Sequence, residues 1–99
     1  MGNGLQIAVV RPRNFRDALT IGTYYRQDIP VIIDLGGMDN AEAWRIIDFA
    51  SGLILGLRGE IERLSRRTFL IVPEGTTLLT AHQSLTDEGF FNQALPASR

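Results

Sequence analysis

The chain has no cysteine, no lysine and one histidine among its 99 residues. Without thiols there is no disulfide scaffold, thiolate nucleophile, zinc ribbon or iron–sulfur cluster. A single imidazole, His82, removes most remaining metal chemistry, and no cofactor is expected. No apolar run reaches the roughly 18 residues of a membrane-spanning helix. Met1-Gly2-Asn3-Gly4 has neither the basic start nor the apolar stretch of a signal peptide, so the expected compartment is the cytoplasm. An excess of one charge is missing too: ten basic residues oppose eleven acidic ones, for a net charge of −1. No global field therefore drives the chain onto nucleic acid or an anionic membrane, and any such binding must be local. All ten bases are arginine, which reflects genome base composition more readily than guanidinium recognition.

What is present is enough for one core. With 44% hydrophobic and 21% charged residues, the chain is an ordinary globular domain, too short for two independent cores. Leu5 to Val10 is β-branched and partly alternating, and Arg11-Pro12 closes it as a first strand. Asn14 offers an N-cap oxygen to a helix over residues 15–27, with Phe15, Ala18, Leu19 and Ile21 at helical spacing and Gly22 weakening its centre. Asp28-Ile29-Pro30 ends that helix. Val31 to Leu35 is nearly continuous apolar sequence of strand length, the pattern of a strand covered on both faces.

Asp39 and Glu42 have the spacing of a capping box, opening a long helix over residues 39–57. One stripe of that helix, Ala43, Ile46, Ile47, Ala50, Leu53, Ile54 and Leu57, suits packing on a sheet. Phe49, Gly52, Leu55 and Gly56 lie on other faces, and between Ile46 and Leu57 only Asp48 and Ser51 are polar. That is too few for a helix with one side in water, so a partner for the outer side is expected. Gly52 and Gly56 with Ser51 form a small-residue notch. It reads either as a frayed end or close packing within the protein, or as the approach of a symmetry-related helix, and the all-round apolar character favours a helix-mediated homodimer.

After Gly59 the period changes. Residues 60–65 and 68–73 read as two strands joined by Arg66-Arg67, a hairpin lacking the usual turn glycine or asparagine. Thr76 to Thr80 is expected as a short edge strand, and a short helix is expected near residues 85–95. The fold class is therefore α/β: a two-layer sandwich with about five strands in a mixed sheet and two main helices. Residues 1–80 form the core domain and 81–99 a C-terminal extension.

No catalytic set emerges. His82 has no spacing that indicates a serine partner. Glu60 and Glu62 on one strand face read as a solvated edge rather than an acid/base pair. Gly36-Gly37 lacks the lysine and wider glycine spacing of a phosphate loop. The chemical potential is concentrated in Arg63, Arg66 and Arg67 beside Phe69. This cluster is either a solvated hairpin tip or a cleft for a short acidic-apolar peptide, since guanidinium groups pair bidentately with carboxylates. A small dimeric nucleic-acid-binding module using the same arginines is the alternative, disfavoured by the eleven acids and a pI near 5.7.

The order of Phe15-Arg16-Asp17-Ala18, Pro30 to Leu35, Arg45 to Gly52, Gly56-Leu57-Arg58-Gly59 and Phe69 to Pro73 resembles the C-terminal domain of the SepF family of bacterial cell-division proteins. The likeness spans about Val9 to Glu74, and Gly89-Phe90-Phe91-Asn92-Gln93 is most similar to actinobacterial members. The resemblance implies a non-enzymatic, dimerising α/β core that binds the C-terminal tail peptide of the tubulin-like protein FtsZ. It also implies a place at the division septum, on the inner face of the membrane, where FtsZ filaments are attached. Membrane attachment in the family is implied to use an N-terminal amphipathic helix, a feature not seen in residues 1–99, so lipid binding by this core alone is not expected. Onto matching positions the resemblance carries a peptide-binding role for Arg63 and Phe69, to which Arg67 is added on physical grounds. It carries self-association to the second helix around Ile46, Phe49, Gly52 and Gly56. Whether dimers form through helices or sheet faces, and whether they polymerise, stays open.

Overall fold

The computed structural model describes residues 4–81. Strand β1 (Ala8–Val10) is shorter than its sequence pattern suggests. It pairs in parallel with β2 (Val31–Asp34) from Ala8↔Val31 onward. Pro30 accepts a bond from the Ala8 amide but has no N–H to return, so the ladder starts there and Leu5 and Ile7 stay exposed. Asn14 is the expected cap: its side chain accepts from the Arg16 amide at 2.9 Å. A 3₁₀ turn (Phe15–Asp17) leads into α1 (Ala18–Arg26). At Gly22 in α1 the Phe49 ring lies 3.4 Å from where a Cβ would be, within ordinary packing distance.

Helix α2 (Asn40–Leu57) is capped by Asp39, whose carboxylate accepts from the Glu42 amide at 2.9 Å. The reciprocal half of the capping box is not made. Glu42 Oε1 reaches instead across to the Phe15 amide at 2.8 Å, tying the first turn of α2 to the start of the preceding helix. Arg45 completes this corner by pairing with Glu42 and lying 4.2 Å from the Phe15 ring centroid. Strands β3 (Glu60–Ser65) and β4 (Thr68–Val72) follow as a hairpin. The described residues contain one four-stranded sheet in the order β1-β2-β4-β3, with β4 antiparallel to both neighbours.

Both helices pack on one face of this sheet. Val31, Ile33 and Ile71, paired or alternating on that face, meet Ile21 and Tyr25 of α1 and Ile46 and Ala50 of α2 in a core whose members are nearly solvent-free. On the other face the cross-strand row Val9, Ile32, Leu70 remains partly exposed. This corrects the expectation of a β2 covered on both faces: only β1 and β2 are parallel, and one crossover helix covers one side. The expected fifth strand is also absent among the described residues. Thr76 closes a turn onto the Pro73 carbonyl, and the chain beyond it runs without ladder pairing. The expected helix near residues 85–95 lies outside the described residues.

The end of α2 is the tightest point in the fold. Arg58 takes the left-handed conformation (φ 60°, ψ 38°) that glycine usually supplies at a helix C-terminus. Gly59 is needed for another reason. A Cβ there would overlap both the Tyr25 hydroxyl and the Val72 carbonyl oxygen, which are themselves hydrogen-bonded at 2.9 Å. One contact thus joins α1, the α2–β3 junction and β4.

Gly59→Ala is therefore expected to cost about 2 kcal/mol or more in denaturant unfolding, because it breaks a buried hydrogen bond as well as crowding the junction. Arg58→Gly is expected to raise stability by about 0.5 to 1 kcal/mol by relieving the left-handed backbone. Burial raises the Tyr25 phenol above its ordinary pKa of 10.0, and the nearby Asp28 carboxylate acts in the same direction. The neutral phenol is thus favoured by folding, so stability is complete below pH 10 and is lost as the pH climbs toward the raised value. Tyr25→Phe, followed by unfolding at several alkaline pH values, is expected to remove this alkaline loss and to cost about 1 kcal/mol at neutral pH.

Candidate functional site

The hairpin turn Arg66-Arg67 has neither of the glycine or asparagine residues that supply positive φ in two-residue turns, and among the described non-glycine residues only Asp28 and Arg58 have positive φ. Side chains hold it in their place. The register slips between Arg63 and Ser65. Arg63 spans the slip, donating from Nε to the Ser65 carbonyl and from Nη2 to the Arg66 carbonyl, each at 3.0 Å. Arg67 bonds in the opposite direction, into the β2–α2 loop. Its guanidinium donates to the Leu35 carbonyl at 3.1 Å, to Asn40 Oδ1 at 3.0 Å and to the Met38 carbonyl. Its own carbonyl accepts from the Leu35 amide at 2.7 Å.

Between this stitched hairpin and the N-terminal half of α2 lies a cleft of about 410 Å³. Ala43, Trp44 and Ile47 form the helix side; Phe69 and Leu35 line it from the sheet, and Arg63, Arg66 and Arg67 supply its positive rim. The register Arg63↔Phe69 puts both side chains on the same sheet face, and the Arg63 guanidinium carbon lies 5.8 Å from the Phe69 ring centroid. Among the described residues no acidic side chain lines the cleft. The ion pairs among the described residues, Arg11–Asp34 and Arg45–Glu42, involve none of the three arginines. Three guanidinium groups thus face an apolar hollow without a carboxylate, an arrangement suited to a ligand that is acidic and apolar together.

The expected peptide-binding residues Arg63, Arg67 and Phe69 are brought together. Trp44 and Asn40 were not expected there. The signal for Trp44 was available, since a large aromatic off the apolar stripe of an amphipathic helix marks a binding surface; Trp44 is 63% exposed. The four α2 residues expected to mediate self-association divide. Ile46 is 0% exposed and belongs to the protomer's own core, so it offers no surface to a second copy. Phe49 packs edge-on against Phe15, with ring centroids 6.2 Å apart, and against Gly22. Gly52 and Gly56 are exposed with open space around them, and Leu55 between them is 83% exposed. His82 lies outside the described residues. Glu60 and Glu62 pair with Val72 and Leu70 on the sheet face away from the cleft, with no acid/base arrangement. No group of metal-ligating side chains occurs among the described residues.

Residues 7–78 match the family model described as cell division protein SepF. The chain is 46% identical over 90 residues to the cell division protein SepF of Cutibacterium acnes and 41% identical over 91 residues to that of Acidothermus cellulolyticus. These alignments cover 90% and 91% of this chain and 52% of each relative, so the chain spans about half the length of the curated relatives it matches. Among solved structures, a SepF-like protein from Archaeoglobus fulgidus shares the fold with a TM-score of 0.70 at 17% identity, covering 76% of this chain and 93% of that one. The cell division protein SepF from Methanobrevibacter smithii, solved in complex with FtsZ-CTD, gives a TM-score of 0.66 at 20% identity, covering 77% of this chain and 99% of that one. With the family model covering most of its length and relatives above 40% identity along nine-tenths of it, this chain belongs to the SepF family of cell-division proteins.

Proposed function

We propose that this chain is a non-enzymatic adaptor core that binds the C-terminal tail of FtsZ in the cleft between α2 and the β3–β4 hairpin. The observation that carries this reading is the set of three arginines that have no carboxylate partner among the described residues, around a floor of Phe69, Leu35 and Ile47. It is supported by the shared fold of the archaeal SepF solved with FtsZ-CTD. Carboxylates of the tail meet the guanidinium rim, and its apolar side chains enter the hollow. Nucleic acid is disfavoured as the ligand because eleven acidic residues offset the ten arginines, leaving a net charge of −1.

The core acts as a homodimer in this proposal. Gly52 and Gly56 each cost α2 about 1 kcal/mol of helix propensity, and nothing among the described residues approaches them. Close approach of a second α2 across Gly52, Leu55 and Gly56 offsets that cost. Two clefts per dimer then engage two tails of one filament, and the raised effective concentration makes weak single contacts sufficient. The site of action is the cytoplasmic face of the septal membrane. No helix among the described residues is long and apolar enough to cross a membrane, and α2 turns its apolar stripe to the sheet.

Arg63→Glu places a like charge against the tail, and isothermal titration with a synthetic FtsZ C-terminal peptide is expected to show at least a tenfold loss of affinity, about 1.4 kcal/mol. Thermal unfolding of the same variant checks that the fold is retained; unchanged affinity in a folded variant would remove the cleft assignment. In sedimentation experiments the wild type is expected at twice the chain mass. Gly52→Gln with Gly56→Gln should strengthen the helix yet shift the mass to monomer, whereas a dimer that survives the double substitution excludes this face as the seam.

A further inference from the structure

Resting on the reading of the cleft as a peptide site, we infer that Arg66 is its carboxylate anchor and Trp44 its apolar counter-wall, with Arg63 and Arg67 as positioning residues. The inference follows from where each guanidinium spends its donors. A guanidinium carries five N–H groups in a fixed fork. Arg67 commits its fork to three oxygens of the loop and helix start that form the opposite wall. Arg63 commits two N–H groups to the hairpin turn. Arg66 lines the same cleft, is exposed, and makes no side-chain hydrogen bond or ion pair among the described residues. Its whole fork is open to a bidentate carboxylate.

Positioning and contact are thus divided between neighbours in sequence. The turn residue held by its carbonyl and guanidinium (Arg67) keeps the two walls at a set separation, and the turn residue beside it (Arg66) points a free cation over the gap. Across from it stands Trp44, a large aromatic that is 63% exposed on a helix whose core-facing neighbours Ala43 and Ile46 are buried. An apolar ligand side chain entering between Trp44 and Phe69 removes both from water, which a rigid aromatic does at low entropy cost. The ligand chemistry recognised is a carboxylate near an apolar residue, with the carboxylate at the hairpin tip and the apolar group deeper, against α2.

Trp44 is the chain's single tryptophan, so its emission reports on the cleft directly. The experiment titrates a synthetic FtsZ C-terminal peptide into the wild type, Arg66→Gln, Arg66→Lys and Arg67→Gln at low and high salt, following Trp44 fluorescence and calorimetric heat, with thermal unfolding alongside. Arg66→Gln is expected to bind five- to tenfold more weakly, with a shallower salt dependence and an unchanged melting temperature. Arg66→Lys is expected to regain the salt dependence but only part of the affinity, since an ammonium is a point charge rather than a fork. Arg67→Gln is expected to melt earlier and to bind more weakly with the salt dependence of the wild type, the signature of lost positioning rather than a lost charge contact. Binding by Arg66→Gln that equals the wild type in affinity and salt response, or Trp44 emission that ignores saturating peptide, overturns the inference while leaving the peptide reading intact. No heat and no emission change with the wild type overturns the peptide reading itself, and the role of Arg66 with it.

Discussion

The stitch between Leu35 and Arg67 is the constraint on which both fold and cleft depend. The β3–β4 hairpin enters the sheet with β4 innermost, between β2 and β3, so its turn must meet the end of β2 where α2 begins. A backbone bond from the Leu35 amide to the Arg67 carbonyl and three bonds from the Arg67 guanidinium close that meeting point. The partners are mostly main-chain carbonyls at a loop, groups that otherwise need water or another donor. The same bonds fix the distance between hairpin and helix, leaving a hollow where tighter packing would have closed it.

Much of the fold was legible because the strongest local signals agree with the tertiary arrangement. The Asn14 and Asp39 caps, the apolar stripe of α2, the termination at Arg11-Pro12 and the change of period after Gly59 all appear where the residues place them. The differences are long-range effects. Whether Val31 to Leu35 is covered on one face or two depends on which side the single crossover helix lies, and the run itself is equally apolar either way. Glu42 has the capping-box spacing, yet Phe15, 27 residues earlier, competes for its carboxylate and wins. Thr76 to Thr80 has strand-like residues yet pairs with neither edge of the sheet, β1 or β3. Among the site residues, Arg63, Arg67 and Phe69 were readable as a cluster, whereas the use of Arg67 as an internal brace depends on the Leu35–Asn40 loop folding beside it, which no local pattern reveals.

The glycines illustrate how one residue type answers different demands. Gly22 lies beneath the Phe49 ring at packing distance, whereas Gly59 admits a hydrogen bond between helix and strand that a Cβ would overlap, so Gly59 is explained within the protomer. The left-handed position that would ordinarily recruit glycine is occupied by Arg58 instead. Gly52 and Gly56 stand apart, open on the outer side of α2, where the apolar surface continues through Leu55.

Among the described residues, every cation around the cleft is a guanidinium, and neither a carboxylate nor an imidazole lines it. Planar guanidinium forks thus supply the positive face of the cleft, and ionic strength sets how far that field reaches. The absence of lysine goes further: enzymes that acetylate or ubiquitinate amino side chains find no handle there.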